Sequence, residues 1–180
     1  MEEAGITRTL KDGTEVILRP IRPDDFEKSL RFFRELSEED LLYLRLDVTD
    51  PEVVRARLKT DPFFHVFRLV VEKDDRIVAD ATLRWAMAGW TAHVGEVRII
   101  IASDFRRKGL ASILYRELFV QAVKLGLEKI EAHLMPQQVS ARRCLEKLGF
   151  QEEGVLQGFV KDRKGMLQDL VVMSTEVTGF

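Results

Sequence analysis

Cysteine and histidine are scarce in this chain. Cys144 is the one cysteine among 180 residues, so no disulfide can form within the chain, and this usage fits a reducing compartment. The three histidines, His65, His93 and His133, do not have the spacing of metal ligands. We therefore expect neither a disulfide scaffold nor a metal site.

Long apolar runs and an excess of one charge sign are also missing. No apolar stretch approaches the length of a membrane span, and the start Met1-Glu2-Glu3 is acidic, unlike a secretory signal. The net charge is −2, which gives no general attraction to nucleic acid or to an anionic membrane. We therefore expect a cytoplasmic protein without a membrane or nucleic-acid partner.

Two nucleotide-binding signatures are absent. The chain contains neither Gly-x-Gly-x-x-Gly nor the Gly-Lys-Ser/Thr of a nucleoside triphosphatase. The basic run Arg106-Arg107-Lys108 has no aromatic platform beside it, which argues against single-stranded nucleic acid as its ligand.

Hydrophobic periodicity predicts one mixed α/β domain covering residues 1–180. The apolar share is 46%, enough for a substantial core in a chain of this length. The predicted order is strand, helices, three strands, helix, strand, helix and two strands. The predicted strands are 15–19, 65–72, 76–85, 94–101, 129–134, 152–161 and 166–175. The predicted helices are 24–36, 50–59, 110–125 and 139–148, and Asp61-Pro62 is predicted to end the second of them.

The most informative stretch is a strand, a basic turn and a helix in immediate succession. The run Val97 to Ile101 is rich in β-branched residues, and Arg106-Arg107-Lys108-Gly109 leads directly into the helix that begins at Leu110. A helix start presents free N–H groups and partial positive charge, and glycine allows close approach of a ligand. This stretch therefore predicts an anion site, most naturally for phosphate.

Two blocks carry a resemblance to a known family. Arg106-x-x-Gly109-x-Ala111 resembles the pyrophosphate loop of the GNAT N-acetyltransferase superfamily, and Ser140 to Phe150, ending in Glu-Lys-Leu-Gly-Phe, is similar to its second block. The resemblance implies a mostly antiparallel central sheet of about seven strands with flanking helices and a splayed central strand pair. It also implies acetyl-CoA as cosubstrate and an amine as acceptor, with no metal.

The same resemblance assigns the cofactor-binding residues. Backbone groups of Ile99, Ile100 and Ile101 would pair with the pantetheine arm. Gln138 takes the place of the family's asparagine. The pyrophosphate cradle would consist of Arg106, Arg107, Lys108, Gly109, Leu110 and Ala111.

Glu96 and His133 are the candidate bases. Glu96 begins the strand that would hold pantetheine, where many GNAT enzymes place a glutamate, and partial burial would raise its pKa toward neutrality. His133 lies on the next strand, and histidine is a residue type that often serves as a base near neutral pH. The alternatives are a glutamate that is solvated or paired with Arg98, and a structural histidine.

One departure from the family pattern leaves the function open between two classes. Leu145 stands where the family usually has a tyrosine acid, and the only tyrosines are Tyr43 and Tyr115. The first hypothesis is an N-acetyltransferase acting on a protein lysine, a protein N-terminus or a small amine. The second is a CoA-binding sensor or regulatory domain without catalysis. A nucleic-acid-binding domain is a weaker third alternative, and a homodimer is left open.

Overall fold

The computed structural model describes residues 5–59 and 63–177, so the predicted break at Asp61-Pro62 lies outside the described residues. The strands are β1 (Ile6–Thr9), β2 (Glu15–Pro20), β3 (Phe64–Lys73), β4 (Arg76–Ala86), β5 (Val94–Ile101), β6 (Lys129–Leu134), β7 (Gln151–Lys161) and β8 (Leu167–Glu176). The helices are α1 (Phe26–Arg34), α2 (Glu38–Leu42), α3 (Pro51–Arg57), α4 (Leu110–Lys124) and α5 (Val139–Lys147). The predicted mixed α/β class is confirmed.

The strands form one sheet in the order β1-β2-β3-β4-β5-β6-β8-β7. All neighbours are antiparallel except β5 and β6, which are parallel. The sheet has eight strands rather than the predicted seven, because Ile6–Thr9 pairs with β2 as an additional strand. Those four residues contain a single large apolar side chain, so their sequence carries no clear strand pattern.

Apolar stripes attach the helices to both faces of the sheet. Leu110, Leu114 and Leu118 of α4 recur at every fourth position and are essentially buried. Leu127, which follows α4, packs with Leu83 on one face, whereas Arg57 at the end of α3 reaches Asp80 on the opposite face. Within the described ranges, no helix is long and apolar enough to cross a membrane.

A buried ion pair fixes the entry to α1. The Arg19 guanidinium donates two hydrogen bonds of 2.7 Å to the Asp25 carboxylate, and both side chains are buried. Burial alone would raise the pKa of Asp25, but Arg19 and the Arg22 N–H lower it by more. Arg19 and Asp25 therefore have a structural role, because their ion pair locks β2 to the turn before α1.

Candidate functional site

A gap opens between β5 and β6 at the centre of the sheet. The two strands are in register only from Val94–Lys129 to Glu96–Glu131. Beyond these pairs β5 continues to Ile101 along β4, while β6 follows β8 instead. One backbone edge of β5, including Ile99 to Ile101, therefore faces the gap, and the predicted splayed strand pair is confirmed.

The segment Arg106–Ala111, termed the 106–111 loop, lies beyond the end of β5 and starts α4. Arg107 and Gly109 both have positive φ, of 60° and 86°, which turns the backbone sharply before the helix. Gly109 is the N-cap and brings no side-chain acceptor, so the first N–H groups of α4 keep their donor capacity. The helix dipole adds partial positive charge at the same point. The loop can therefore bind an anion through its backbone.

The cationic side chains of the loop are tied to other elements. Arg106 pairs with Asp40 at 2.7 Å and also donates to the Ile101 carbonyl at 3.0 Å. Lys108 pairs with Asp12 at 2.9 Å, and its hydrogen bond with Asp12 lowers the pKa of that carboxyl to about 2. These bonds fix the loop against β5, α2 and the β1–β2 turn, so Arg106 and Lys108 hold its shape as well as adding charge.

Lys11 is a loop neighbour that sequence reasoning missed. Its N–H donates to the Lys108 carbonyl at 3.1 Å. A Cβ built on Gly109 would lie 3.2 Å from Lys11 Cγ and Cε, so the lysine stem passes directly over the glycine. Lys11 precedes Gly109 by almost one hundred positions, and no local pattern connects the two. Its ammonium adds positive charge beside the 106–111 loop.

A polar group lies at the other end of the gap, where β5 and β6 are still paired. It consists of Glu96, Arg45, Arg98, His133 and Glu131 and is termed the Glu96 cluster. Arg45 Nη1 donates to Glu96 Oε2 at 3.0 Å, and Arg45 Nη2 forms an ion pair with Glu96 Oε1 at 2.9 Å. Arg98 Nη2 lies 3.0 Å from Glu96 Oε1, so the pairing of Glu96 with Arg98 considered above is present. Arg45 came from no sequence prediction, because it lies in the irregular segment between α2 and α3.

His133 joins the Glu96 cluster from β6. Its Nδ1 is 4.0 Å from Glu96 Oε1 and contacts Arg45 Nη2, and its Nε2 is 3.1 Å from Glu131 Oε1. The structure thus brings together both predicted base candidates, which are separated by more than 30 positions in sequence. Both side chains are mostly buried, with 15% and 19% exposure for Glu96 and His133.

The predicted rise in the pKa of Glu96 is wrong. Burial would raise this pKa, but the positive charges of Arg45 and Arg98, followed by His133, lower it by more, so it lies below its ordinary value. The carboxyl is therefore ionised at neutral pH and is a weaker base than expected. Another cation in the place of Arg45 would in the same way stabilise the ionised form of Glu96.

The comparison with known proteins assigns the family. The sequence profile described as the acetyltransferase (GNAT) family matches residues 28–150. The chain belongs to the GNAT acetyltransferase family. This match begins within α1 and includes α2 to α5, the gap between β5 and β6, the 106–111 loop and the Glu96 cluster. The expected resemblance to GNAT proteins is thereby confirmed.

Similar GNAT proteins include two curated relatives. Acetyltransferase Pat from Mycolicibacterium smegmatis is 26% identical over 143 residues, covering 78% of this chain and 42% of Pat. Probable N-acetyltransferase YjcK from Bacillus subtilis is 28% identical over 165 residues, covering 83% of this chain and 87% of YjcK. The chain thus spans less than half the length of Pat.

Solved GNAT structures show the same fold. The GNAT domain of S. lividans PAT superposes with a TM-score of 0.77 at 19% identity, with 98% of both chains covered. Ribosomal-protein-S5-alanine acetyltransferase from Vibrio fischeri gives a TM-score of 0.75 at 18% identity, covering 95% of this chain and 96% of that one.

The second GNAT-like block forms α5. Gln138 is the N-cap of this helix, and its Oε1 accepts the Met135 N–H at 2.9 Å, so part of its amide is already engaged. Leu145, in the tyrosine position, is fully buried in the core. Tyr115 is also buried, which raises its pKa, and its ring packs against Phe150 at a tilt of 60°. Within the described residues, no group of three or more His, Cys, Asp or Glu could hold a metal ion.

Proposed function

We propose that this GNAT chain is an acetyl-CoA-dependent N-acetyltransferase that acts on a primary amine, and that residues 1–180 form one catalytic domain. The observation that carries the proposal is the position of the gap between β5 and β6. It lies between a backbone anion site, the 106–111 loop, and a group of ionisable side chains, the Glu96 cluster. An acyl carrier with a phosphate-bearing end and an amine acceptor require these two surfaces.

The residues present fit CoA on the loop side. The free N–H groups at the start of α4 would hold the pyrophosphate, with Arg107 and Lys11 adding positive charge. The open backbone edge of Ile99 to Ile101 would pair with the pantetheine amides in the manner of an added strand. The thioester supplies an activated acetyl group. Binding at two fixed surfaces contributes to rate by positioning the reactants.

The Glu96 cluster would take the proton from the amine. An unperturbed lysine amine has a pKa of about 10.4 and arrives protonated, so it must lose a proton before it can attack a carbonyl. Glu96 can attract the ammonium as an ionised carboxylate and accept a proton directly or through water. His133 lies within 4.0 Å of the same carboxylate and is the second candidate.

The departing thiolate has no family tyrosine to protonate it. Leu145 offers no acid, and Tyr115 is enclosed in the core. A thiol with a pKa of about 8.5 is a tolerable leaving group without an acid, because its anion is stable near neutral pH. We infer that the thiolate leaves unprotonated or is protonated by water. The missing acid then slows the reaction but does not prevent it.

A CoA-binding sensor without catalysis is the second candidate. Its support is the ion-paired state of Glu96 together with the leucine at position 145. The deciding experiment measures acetyl-CoA binding by calorimetry, and then CoA release and product mass with lysine peptides, peptide N-termini and small amines. Amine-dependent CoA release with an acetylated product supports the enzyme. Tight binding without turnover on the whole panel supports the sensor.

A further inference from the structure

Arg68 on β3 is a largely enclosed cation without a carboxylate of its own. Its Nη1 donates to the Arg57 carbonyl at the end of α3. Its Nε is buried and has no hydrogen-bond partner. Among the described residues, no carboxylate forms an ion pair with this guanidinium, although Asp80 attracts it at longer range. The side chain thus has donor capacity that the protein itself does not use.

Two further arginines lie on the same side of the sheet. Arg68, Thr82 and Arg98 are directly opposite one another across β3, β4 and β5, so their side chains project from one face. Arg57 approaches that face from α3 and pairs with Asp80 at 2.9 Å. Burial lowers the pKa of Arg68; Asp80 opposes that effect, while Arg57 and Arg98 reinforce it.

The charges on this face do not balance. Among the described residues, Arg57 is paired with Asp80 and Arg98 with Glu96, whereas Arg68 and Arg84 form no ion pair. Arg84 lies over the Phe64 ring, which leaves Arg68 as the enclosed cation without such a contact. Arg45 adds another positive charge to Glu96. An enclosed charge without a partner is unfavourable, and an oxyanion accepting from guanidinium groups would remove that penalty.

A cavity of about 360 Å³ borders Arg57 and Arg68 and is also lined by apolar side chains, including Phe64 and Val66. This volume is in the range of small-molecule sites. Arg98 connects the arginines to Glu96, because its guanidinium is 3.0 Å from that carboxylate. With neighbouring strands about 4.8 Å apart, the backbone of Arg68 on β3 lies roughly 10 Å from that of Arg98 on β5, and Glu96 is two residues further along β5.

We propose that Arg68, with Arg57 and Arg98, binds the carboxylate or phosphate of the acceptor, and that the acceptor is a small amine carrying such an oxyanion. This inference rests on the proposed N-acetyltransferase function and names its substrate class. The amino group would lie at Glu96 while the oxyanion lies at Arg68, so acceptors with several bonds between the two groups fit best.

The first test measures anion binding without turnover. Wild-type protein, Arg68→Gln and Arg68→Lys are melted with increasing inorganic phosphate at constant ionic strength, with CoA present to occupy the 106–111 loop. We expect a phosphate-dependent rise in melting temperature for the wild type, a smaller rise for Arg68→Lys and none for Arg68→Gln. Arg55→Gln is the matched control, because Arg55 is an exposed arginine on α3 paired with Glu52. The same phosphate response in all four proteins overturns the anion site.

The second test measures substrate choice. Alkylamines are compared with ω-amino acids and ω-aminoalkyl phosphates of the same chain length. We expect higher kcat/KM for one anionic series, and a loss of about 10- to 100-fold in that preference in Arg68→Gln, through KM, with the turnover of the alkylamines unchanged. The preferred series identifies the oxyanion as carboxylate or phosphate.

The outcomes separate the two proposals. Turnover of alkylamines or of lysine peptides without any preference for an oxyanion supports the transferase and overturns the Arg68 site. A phosphate response that depends on Arg68, with no turnover of any amine, retains an anion site, removes the transferase and overturns the substrate assignment. If Arg68→Gln is unfolded by circular dichroism, Arg68→Lys decides, because it keeps the charge and loses the planar fork.

Discussion

The gap between β5 and β6 has a loop side, at the 106–111 loop, and a cluster side, at the Glu96 cluster. The two differ in whether main-chain or side-chain groups form them. The 106–111 loop offers main-chain N–H groups, two positive-φ residues and a helix start, all within six consecutive positions. The Glu96 cluster instead consists of side chains from three separate segments, held by ion pairs between Arg45, Glu96, Arg98 and His133. Backbone geometry therefore determines the loop side, and charge balance determines the cluster side. Substitutions should affect the two sides by different mechanisms.

The largest expected effect is on the loop side. Gly109→Asp places a side chain at φ +86°, close to Lys11, and puts a negative charge where phosphate would bind. We expect acetyl-CoA affinity to fall below detection by calorimetry. Gly165→Asp is the matched control, because Gly165 has φ +78° and open space around it. Normal affinity in a folded Gly109→Asp protein would show that the loop does not bind the cofactor.

The next effect is on the cluster side and concerns turnover rather than binding. Glu96→Gln should retain acetyl-CoA affinity and lower turnover about 10²-fold at neutral pH, the range for a lost general base. The loss should shrink at high pH, where the amine loses its proton unaided. His133→Ala is the control: if it removes turnover while Glu96→Gln has little effect, then His133 is the base. If neither substitution slows a confirmed acceptor, the proton leaves through water.

The contrast between the two sides also explains what the sequence could predict. The strand, loop and helix from Val97 to Lys124 were predicted together, because their signals are local: β-branched residues, a glycine at the turn and leucines at every fourth position. Arg45, Arg57 and Arg68 were not identified, because an arginine in a loop, helix or strand looks the same in sequence whether it faces solvent or a buried carboxylate. The register of β3, β4 and β5 brings Arg68 and Arg98 to one face. Arg45 and Arg57 reach that face only because the segment after α2 and the end of α3 pack onto it.

The pKa of Glu96 is a second case in which local reasoning failed. The predicted partial burial of Glu96 is confirmed, since its side chain is 15% exposed. Arg45 and Arg98 lower the pKa of Glu96. Arg45 is 51 positions away in sequence, so its contact could be seen only in the fold, whereas Arg98 is two positions away on the same strand. A charged strand residue at a predicted site therefore needs its partners before its pKa can be argued.

A smaller effect tests whether α5 contributes an acid to the loop side. Leu145 is fully buried, so Leu145→Tyr should lower the free energy of unfolding by about 1–3 kcal/mol through overpacking, as measured by urea denaturation. Leu145→Met conserves volume and should cost less than about 1.5 kcal/mol. Unchanged stability in Leu145→Tyr together with faster turnover would mean that position 145 reaches the thioester and that a tyrosine acid can be restored.

The smallest expected effect separates the electrostatic control of Glu96 from its chemistry. Arg45 is the largest of the charges that lower the pKa of Glu96, and burial opposes it, so removing Arg45 should raise this pKa. Glu96 must be ionised to accept a proton, so activity falls as the pH drops through its pKa. In Arg45→Gln the acidic limb of kcat/KM should therefore move to higher pH, while the plateau is kept or increases because a protonated amine no longer competes with the guanidinium for Glu96.

Arg163→Gln is the control: Arg163 is a cation paired with Asp47, two residues beyond Arg45, and it makes no contact with Glu96 in the described part of the chain. An acidic limb that stays in place in Arg45→Gln, but disappears in Glu96→Gln, would mean that Arg98 alone sets the pKa of the base.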